Sequence, residues 1–297
     1  MFNKNNFSTT IAVMTSLMLW SSAFAGIRAG LEGYDAGSLA LFRFVIASLI
    51  FIVCAIVIKM RVPDMKDIPK IFLCGFTGVT LYHLALNYGE VSITAGSASM
   101  LISTTPIFTA FLSLFFLKEK VSLYKWLGIF ISFVGIALIS CGESAGLSFS
   151  FGSLLVLFAA FVSALYIVLQ KSLFDKYSAL EITAYGVWAG TLALLFFVPQ
   201  MIHGLKTASI STTLSIVYLG IFPGALAYYA FSYALTKKSA VNASNLLYLV
   251  PILATVFAFV WLGEIPSIMA LLGGVITIFG IVFMAVSEKI SFKISIS

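Results

Sequence analysis

Long apolar runs, each about the length of one membrane crossing, alternate with short polar turns along the whole chain. A helix that crosses a bilayer needs about 20 mostly apolar residues. Ten runs meet that length: residues 9–29, 37–59, 69–89, 93–117, 122–141, 151–171, 180–199, 212–235, 240–262 and 266–287. The connections are short, and no stretch is long enough for a separate soluble domain. The pattern predicts an all-α polytopic membrane protein with ten transmembrane helices.

The pattern also repeats. Ser103–Lys120 reads STTPIFTAFLSLFFLKEK and Tyr248–Ile265 reads YLVPILATVFAFVWLGEI. Pro106 lies over Pro251 and Glu119 over Glu264, 145 positions apart. The same spacing matches Gly75 with Gly220, Tyr88 with Tyr233, Ala95 with Ala240, Ser99 with Ser244, Gly128 with Gly273 and Gly135 with Gly280. Two five-helix repeats are expected, residues 9–141 and 151–287. An odd number of helices per repeat places the second copy upside down in the membrane.

Charge supports that inversion. Only 9% of residues are charged, against about a quarter in a soluble protein, too few to cover a water-facing surface. With the N-terminus inside, fourteen of the seventeen Lys and Arg fall on the inner side, two (Arg28 and Lys206) outside, and Arg43 within the second span. Cytoplasmic loops carry such an excess, so both termini are expected in the cytoplasm. Lys118-Glu119-Lys120 ends the fourth run inside, whereas Gly263-Glu264-Ile265 ends the ninth run outside, without its positive charges. Lysines scattered singly between apolar runs read as topology signals rather than a nucleic-acid patch. Lys4, an apolar core and Ala23-Phe24-Ala25 imitate a cleavable secretory signal, but the repeat needs this helix, which is expected to be retained. Cys54, Cys74 and Cys141 lie inside apolar runs without metal-like spacing and read as packing residues.

The segments LFFLKEK-V-S-LYKWLG-IFISFVGIALI within residues 106–139 and VWLGEIPSIMALLGGVITIFGIVFM within 251–284 resemble the EamA repeat of the drug/metabolite transporter superfamily. Trp20 and Leu41-Phe42-Arg43-Phe44 are similar to its opening half; Ser21 departs from it, where glycine commonly follows the tryptophan. The resemblance covers about residues 10–287. It implies ten helices in two inverted repeats and a central cavity lined by helices 1, 3, 4, 6, 8 and 9. It also implies movement of small metabolites, often export of amino acids.

Polar residues inside a span are costly unless they face protein or water. On the helices expected to line the cavity, candidate substrate-binding residues are His83, Trp20, Tyr82, Ser99, Tyr166, Tyr228, Tyr229, Asn245 and Tyr248. His83 is the one histidine inside a span, and imidazole titrates near pH 6.5, so it is a candidate for substrate contact or proton transfer. A neutral histidine bonded to a neighbouring helix is the structural alternative. The serines and threonines can bond back to their own helices. Arg43, roughly 9 Å below the outer end of its helix, is expected to be structural, pairing with a carboxylate such as Glu90 or with backbone carbonyls. Pro106 and Pro251 each remove a helical donor and are expected to act as matched hinges. The glycines of the fifth and tenth helices imply close backbone packing.

The absences narrow the function. No Asp or Glu lies mid-span, so proton coupling would fall to His83 or an end-of-helix acid such as Glu90 or Glu181. No mid-membrane cluster of Lys and Arg is present to replace the solvation of a phosphate. A small neutral, zwitterionic or weakly cationic, partly apolar substrate fits, with aromatic rings to stack on it or hold an ammonium. No enzyme motif occurs: there is no H-E-x-x-H, Walker loop or G-x-S-x-G. Inverted repeats are the architecture of secondary transporters. The expected function is a secondary transporter of a small metabolite such as an amino acid, working in export by alternating access. Its expected place is the bacterial inner (plasma) membrane, as a monomer, with no cofactor. An uptake permease of the same fold and a channel are the alternatives.

Overall fold

The computed structural model of the chain describes residues 4–116, 123–142, 150–238, 240–244, 247 and 249–294. Lys118-Glu119-Lys120, whose charges carry part of the topology argument, lies outside the described residues. The described residues are almost all helical: α1 Lys4–Leu31, α2 Ala36–Ile58, α3 Ile68–Glu90, α4 Ala95–Phe116, α5 Leu123–Gly142, α6 Phe151–Lys171, α7 Ala179–Thr207, α8 Ile210–Lys237, α9 Ala240–Ser244, α10 Val250–Leu262 and α11 Ile268–Ile294. Among them, seven helices are long and apolar enough to cross a membrane. Three shorter apolar helical stretches accompany them, Trp126–Gly135, Val250–Leu262 and Ile268–Gly280.

Helix starts follow the short polar turns. The side chains of Asp35, Thr94, Ser150, Ser178 and Ser209 accept hydrogen bonds from the first free backbone N–H groups of α2, α4, α6, α7 and α8. Each N-cap satisfies donors that a helix start leaves open. Within the ninth expected run the described helices are α9 and α10. Pro106 and Pro251 both stand in the first turn of a helical segment, Thr105–Phe116 and Val250–Leu262. A ring without an N–H is tolerated there because that donor would be unpaired anyway. The geometry therefore differs from a mid-helix kink. In α4 the hydroxyls of Ser103, Thr104 and Thr105 donate to the carbonyls of Met100, Leu101 and Ile102 at 2.5, 2.7 and 2.7 Å. The Thr105 hydroxyl thereby gives the Ile102 carbonyl a partner.

Helix directions can be read from the contacts. Along α1, Ser8, Ser16, Trp20 and Ser22 bond in turn to Tyr233, Ala227, Pro223 and Tyr218 of α8, so the two run antiparallel. Along α6, Gly152 and Tyr166 meet Gly89 and Gly78 of α3, again antiparallel and at the matching register: Pro223 and Gly78 are equivalent at the 145-residue spacing. Helix α2 runs against α3, with Asn87 donating to the Ala36 carbonyl at 2.9 Å and Arg43 beside His83. It runs along α8, where Gly220 packs on Arg43 and Ile46, and Gly224 on Ala47.

Helices α5 and α11 pack on each other through small residues, as their glycines imply. Gly135 abuts the Gly273 carbonyl, and Gly280 abuts the Gly128 carbonyl. The Ser132 hydroxyl donates to the Thr277 carbonyl at 3.2 Å, and the Thr277 hydroxyl reaches the Ser132 carbonyl at 3.5 Å. A side chain at any of these glycines would push the backbones apart, which is why small residues mark such contacts.

Candidate functional site

Two π-helical segments shape the centre of the bundle: Phe76–Leu81 in α3 and Gly220–Leu226 in α8. A π turn shifts the backbone ladder and is frequent at functional sites. Each segment offers a carbonyl to a side chain from another helix. The Gly78 carbonyl accepts from the Tyr228 hydroxyl at 2.8 Å, and the Pro223 carbonyl accepts from the Trp20 indole N–H at 3.2 Å. These two carbonyls occupy equivalent positions, 145 residues apart.

Between the segments lies a cavity of about 50 Å³, well below the roughly 300–1,000 Å³ of a ligand cleft. It is bordered by Trp20, Ala23, Phe24 and Ile27 of α1, Arg43 of α2, Gly78, Tyr82, His83 and Leu86 of α3, and Ile102 of α4. Ser163, Tyr166 and Ile167 of α6, Tyr228 and Phe231 of α8, Leu247 and Val250 complete the wall.

A directional chain of hydrogen bonds crosses this cavity. The Arg43 Nη1 lies 3.3 Å from His83 Nδ1, and His83 Nε2 lies 2.9 Å from the Tyr228 hydroxyl. A guanidinium can only donate, so Nδ1 accepts and Nε2 carries the proton that goes to Tyr228. The Tyr228 hydroxyl passes its own proton to the Gly78 carbonyl. The tautomer follows from the partners rather than from observed hydrogens. Aromatic rings enclose the chain: Phe44 and Tyr82 pack on the imidazole at centroid distances of 4.6 and 4.7 Å, and Trp20 meets Tyr228 edge-on at 5.5 Å.

Of the residues singled out in the sequence, Trp20, Tyr82, His83, Tyr166 and Tyr228 come together here. Arg43 borders the same cavity and meets His83, rather than pairing with Glu90 or backbone carbonyls. Ser99 is buried elsewhere and bonds back to the Gly96 carbonyl at 2.6 Å. Tyr229 is 37% exposed and takes no part in the wall. Asn245 and Tyr248 lie outside the described residues. Phe44 and the Gly78 carbonyl were not singled out. The repeat itself held one signal that finds the centre: the spacing that matches Gly75 with Gly220 also matches His83 with Tyr228.

On one face of the bundle Arg28 joins three elements. Its Nε donates to Glu264 at 3.1 Å and its Nη1 to the Glu90 carbonyl at 2.5 Å, while Glu264 also accepts from the Ala95 N–H at 2.9 Å. At the opposite ends of α6 and α8, Lys171 donates to the carbonyls of Leu235 and Lys238, both at 2.7 Å. Glu90 and Leu235 are equivalent positions.

Membrane-length helices around a small, mostly apolar cavity with one polar chain fit a polytopic protein of the small-molecule transporter class. The chain matches the EamA-like transporter family over residues 8–141 and again over residues 150–286, and it belongs to that family of transporters, which are not enzymes. It is 45% identical over 275 residues to the uncharacterised transporter YdfC of Bacillus subtilis, covering 92% of this chain and 90% of that one. It is 38% identical over 273 residues to a probable terminal-alkyne amino-acid exporter of Streptantibioticus cattleyicolor, covering 92% of each chain. An uncharacterised transporter of Archaeoglobus fulgidus is 33% identical over 271 residues, covering 91% of this chain and 96% of that one. A crystal structure 20% identical in sequence shares the fold with a TM-score of 0.68, over 95% of this chain and 98% of that one.

Proposed function

We propose that the chain is a secondary transporter that exports a small zwitterionic or neutral metabolite of the amino-acid kind across the bacterial inner membrane. Ten spans form two inverted five-helix halves that rock about the central cavity, with both termini in the cytoplasm and the substrate and the lipid bilayer as partners. The observation that carries this reading is that His83 and Tyr228, equivalent residues of the two halves, meet at 2.9 Å in the cavity. Equivalent residues touch only where a pseudo-two-fold axis passes, and transporters place their substrate site at such a repeat interface. Two directional facts support the inversion. Equivalent helices α5 and α11 pack antiparallel, and α2 runs against α3 but along its counterpart α8. The 38% identity to a probable amino-acid exporter supports the substrate class and the direction.

The test is reconstitution of the purified chain in liposomes, with a screen of labelled metabolites for saturable flux. Saturation and counterflow are expected for at least one amino acid; conductance that does not saturate would favour a channel. Cysteines placed in intact cells at 237–238 should resist an impermeant thiol reagent, and cysteines at 263–266 should react. The reverse labelling would sink the inverted topology.

A further inference from the structure

Among the described residues, four of the seven buried side-chain polar atoms without a partner belong to three residues of two adjoining helices. Among the described residues, Nε of Arg43, Oδ1 of Asn87 and both carboxyl oxygens of Glu90 are buried with no hydrogen-bond partner. These four atoms sit on the adjoining helices α2 and α3. Arg43 is 1% exposed, and Asn87 and Glu90 are fully buried. His83, Asn87 and Glu90 follow at spacings of four and three, so they form one stripe along α3. Asn87 faces α2, where its amide nitrogen holds the Ala36 carbonyl. Leu86, one turn before Glu90, borders the cavity. Asn87 and Glu90 themselves do not border the cavity; they lie beyond it on the same stripe, toward the Arg28 end of the bundle.

Burying an unpaired charge at membrane depth is costly, and such residues mark functional paths. Here a guanidinium and a carboxylate occupy neighbouring helices, yet no ion pair joins them among the described residues. Arg28, the cation nearest along the stripe, is taken by Glu264 and by the main-chain carbonyl of Glu90, not by its carboxylate. The unpartnered set amounts to one cationic donor and three acceptors. Its complement is a molecule that carries one carboxylate and one ammonium. The aliphatic and aromatic wall beside it, including Phe24, Ile27 and Leu86, suits a nonpolar side chain.

We infer that Arg43 and Glu90 are the two poles that recognise the head group of an apolar α-amino acid, Arg43 taking the carboxylate and Glu90, with Asn87, taking the ammonium. The inference rests on the transporter reading above and deepens it by naming which residue meets which charge. Arginine suits its role because its planar fork matches a carboxylate bidentately. With both poles engaged the loaded site holds two ion pairs and no net charge, which lowers the cost of carrying a zwitterion through a low-dielectric interior. The cavity of about 50 Å³ must widen along α3 to admit the ligand.

The test is direct binding to the purified full chain, with L-leucine, L-methionine and L-phenylalanine, each beside its amide (no carboxylate) and its deaminated acid (no ammonium). The wild type should bind at least one of the amino acids about tenfold or more tighter than both of its analogues, the size expected for a charge-assisted contact. Arg43→Gln should narrow the preference over the amide to within about twofold while keeping the preference over the deaminated acid. Glu90→Gln should do the converse. Such a crossed pattern cannot come from general damage to the fold. Should either variant fail to purify as a monodisperse protein, Arg43→Lys and Glu90→Asp keep the charge and should show the same crossing at smaller amplitude. Equal loss against all three compound types in both variants would overturn the inference, and so would binding that ignores the missing groups. If no amino acid binds but another metabolite shows saturable flux in liposomes, this assignment falls and the transporter reading stands. If nothing binds and nothing moves, both fall.

Discussion

Helices α3 and α8 match at the 145-residue spacing, and their difference is instructive. Both bring a glycine to a neighbouring backbone, Gly75 against Gly186 of α7 and Gly220 against Arg43 of α2. Both then run through a π segment whose freed carbonyl takes a side-chain donor from another helix. Directly after that segment α3 carries Tyr82-His83 where α8 carries Ala227-Tyr228. Two identical side chains meeting on a pseudo-two-fold axis would have no built-in direction. An imidazole against a phenol does, and the chain from Arg43 through His83 and Tyr228 to Gly78 runs one way. The counterpart of Arg43 is Trp188, which donates to the Ser48 carbonyl at 3.2 Å and leaves the second half without a matching cation. The matched positions give the two helices the same frame, and a few differing residues at the centre make the polar chain one-sided.

The largest expected effect comes from breaking the axis. His83→Ala removes the shared partner of Arg43 and Tyr228 and leaves both buried without it, a cost of about 1–3 kcal/mol for each group. Flux in liposomes should fall by about a hundredfold or more while folded protein is still recovered. Wild-type saturation kinetics in this variant would remove His83 from the site. Tyr228→Phe removes the bonds from His83 and to Gly78 but keeps the Arg43–His83 contact, and should cost about tenfold.

Next come the matched glycines. Gly75→Val and Gly220→Val each force a branched side chain into a backbone contact, and overpacking of this kind costs about 1–3 kcal/mol. Thermal denaturation in detergent should show similar losses for the two. A loss confined to one would break the equivalence of α3 and α8.

Smaller still is the pair of end contacts. Arg28→Ala and Lys171→Ala loosen opposite ends of the bundle. With a reporter Ser163→Cys at the cavity, impermeant thiol labelling from the Arg28 side should rise several-fold in the first variant and fall or stay flat in the second. Equal rises in both would mean that these contacts are not on opposite sides.

The smallest effect lies in the turn between α2 and α3, at Asp67, for which no equivalent role appears in the second half among the described residues. Hydrogen bonds from Lys176, and then Tyr177, hold its carboxyl below the usual aspartate range. A depressed folded value means stability that is present above the unfolded value near 3.9 and lost as pH falls through the folded one. The thermal stability of the wild type should therefore decline below about pH 4 more than that of Asp67→Asn. Parallel pH profiles for the two proteins would show that this contact adds nothing to the fold.

Much of this protein was legible from its residues alone. Apolar runs of about 20 residues mark what leaves water, and the doubled proline–glutamate segment marks the repeat. The family followed from the same segments. Five of the candidate site residues, Trp20, Tyr82, His83, Tyr166 and Tyr228, do border one cavity. Hydropathy tells whether a helix enters the membrane, but when every face is apolar it does not tell which face looks inward. That rotation is decided by interhelical contacts. Gly220 and Gly224 let α8 press against α2, and α2 thereby brings Arg43 to the cavity from a helix not expected to line it. The same rotation sends Tyr228 inward and leaves its neighbour Tyr229 partly exposed, since adjacent residues on a helix point about 100° apart. The π segments left no mark in composition, because an extra residue in a turn is set by the packing around it. Only the assembled bundle could show that two residues 145 positions apart in sequence share one hydrogen bond at its centre.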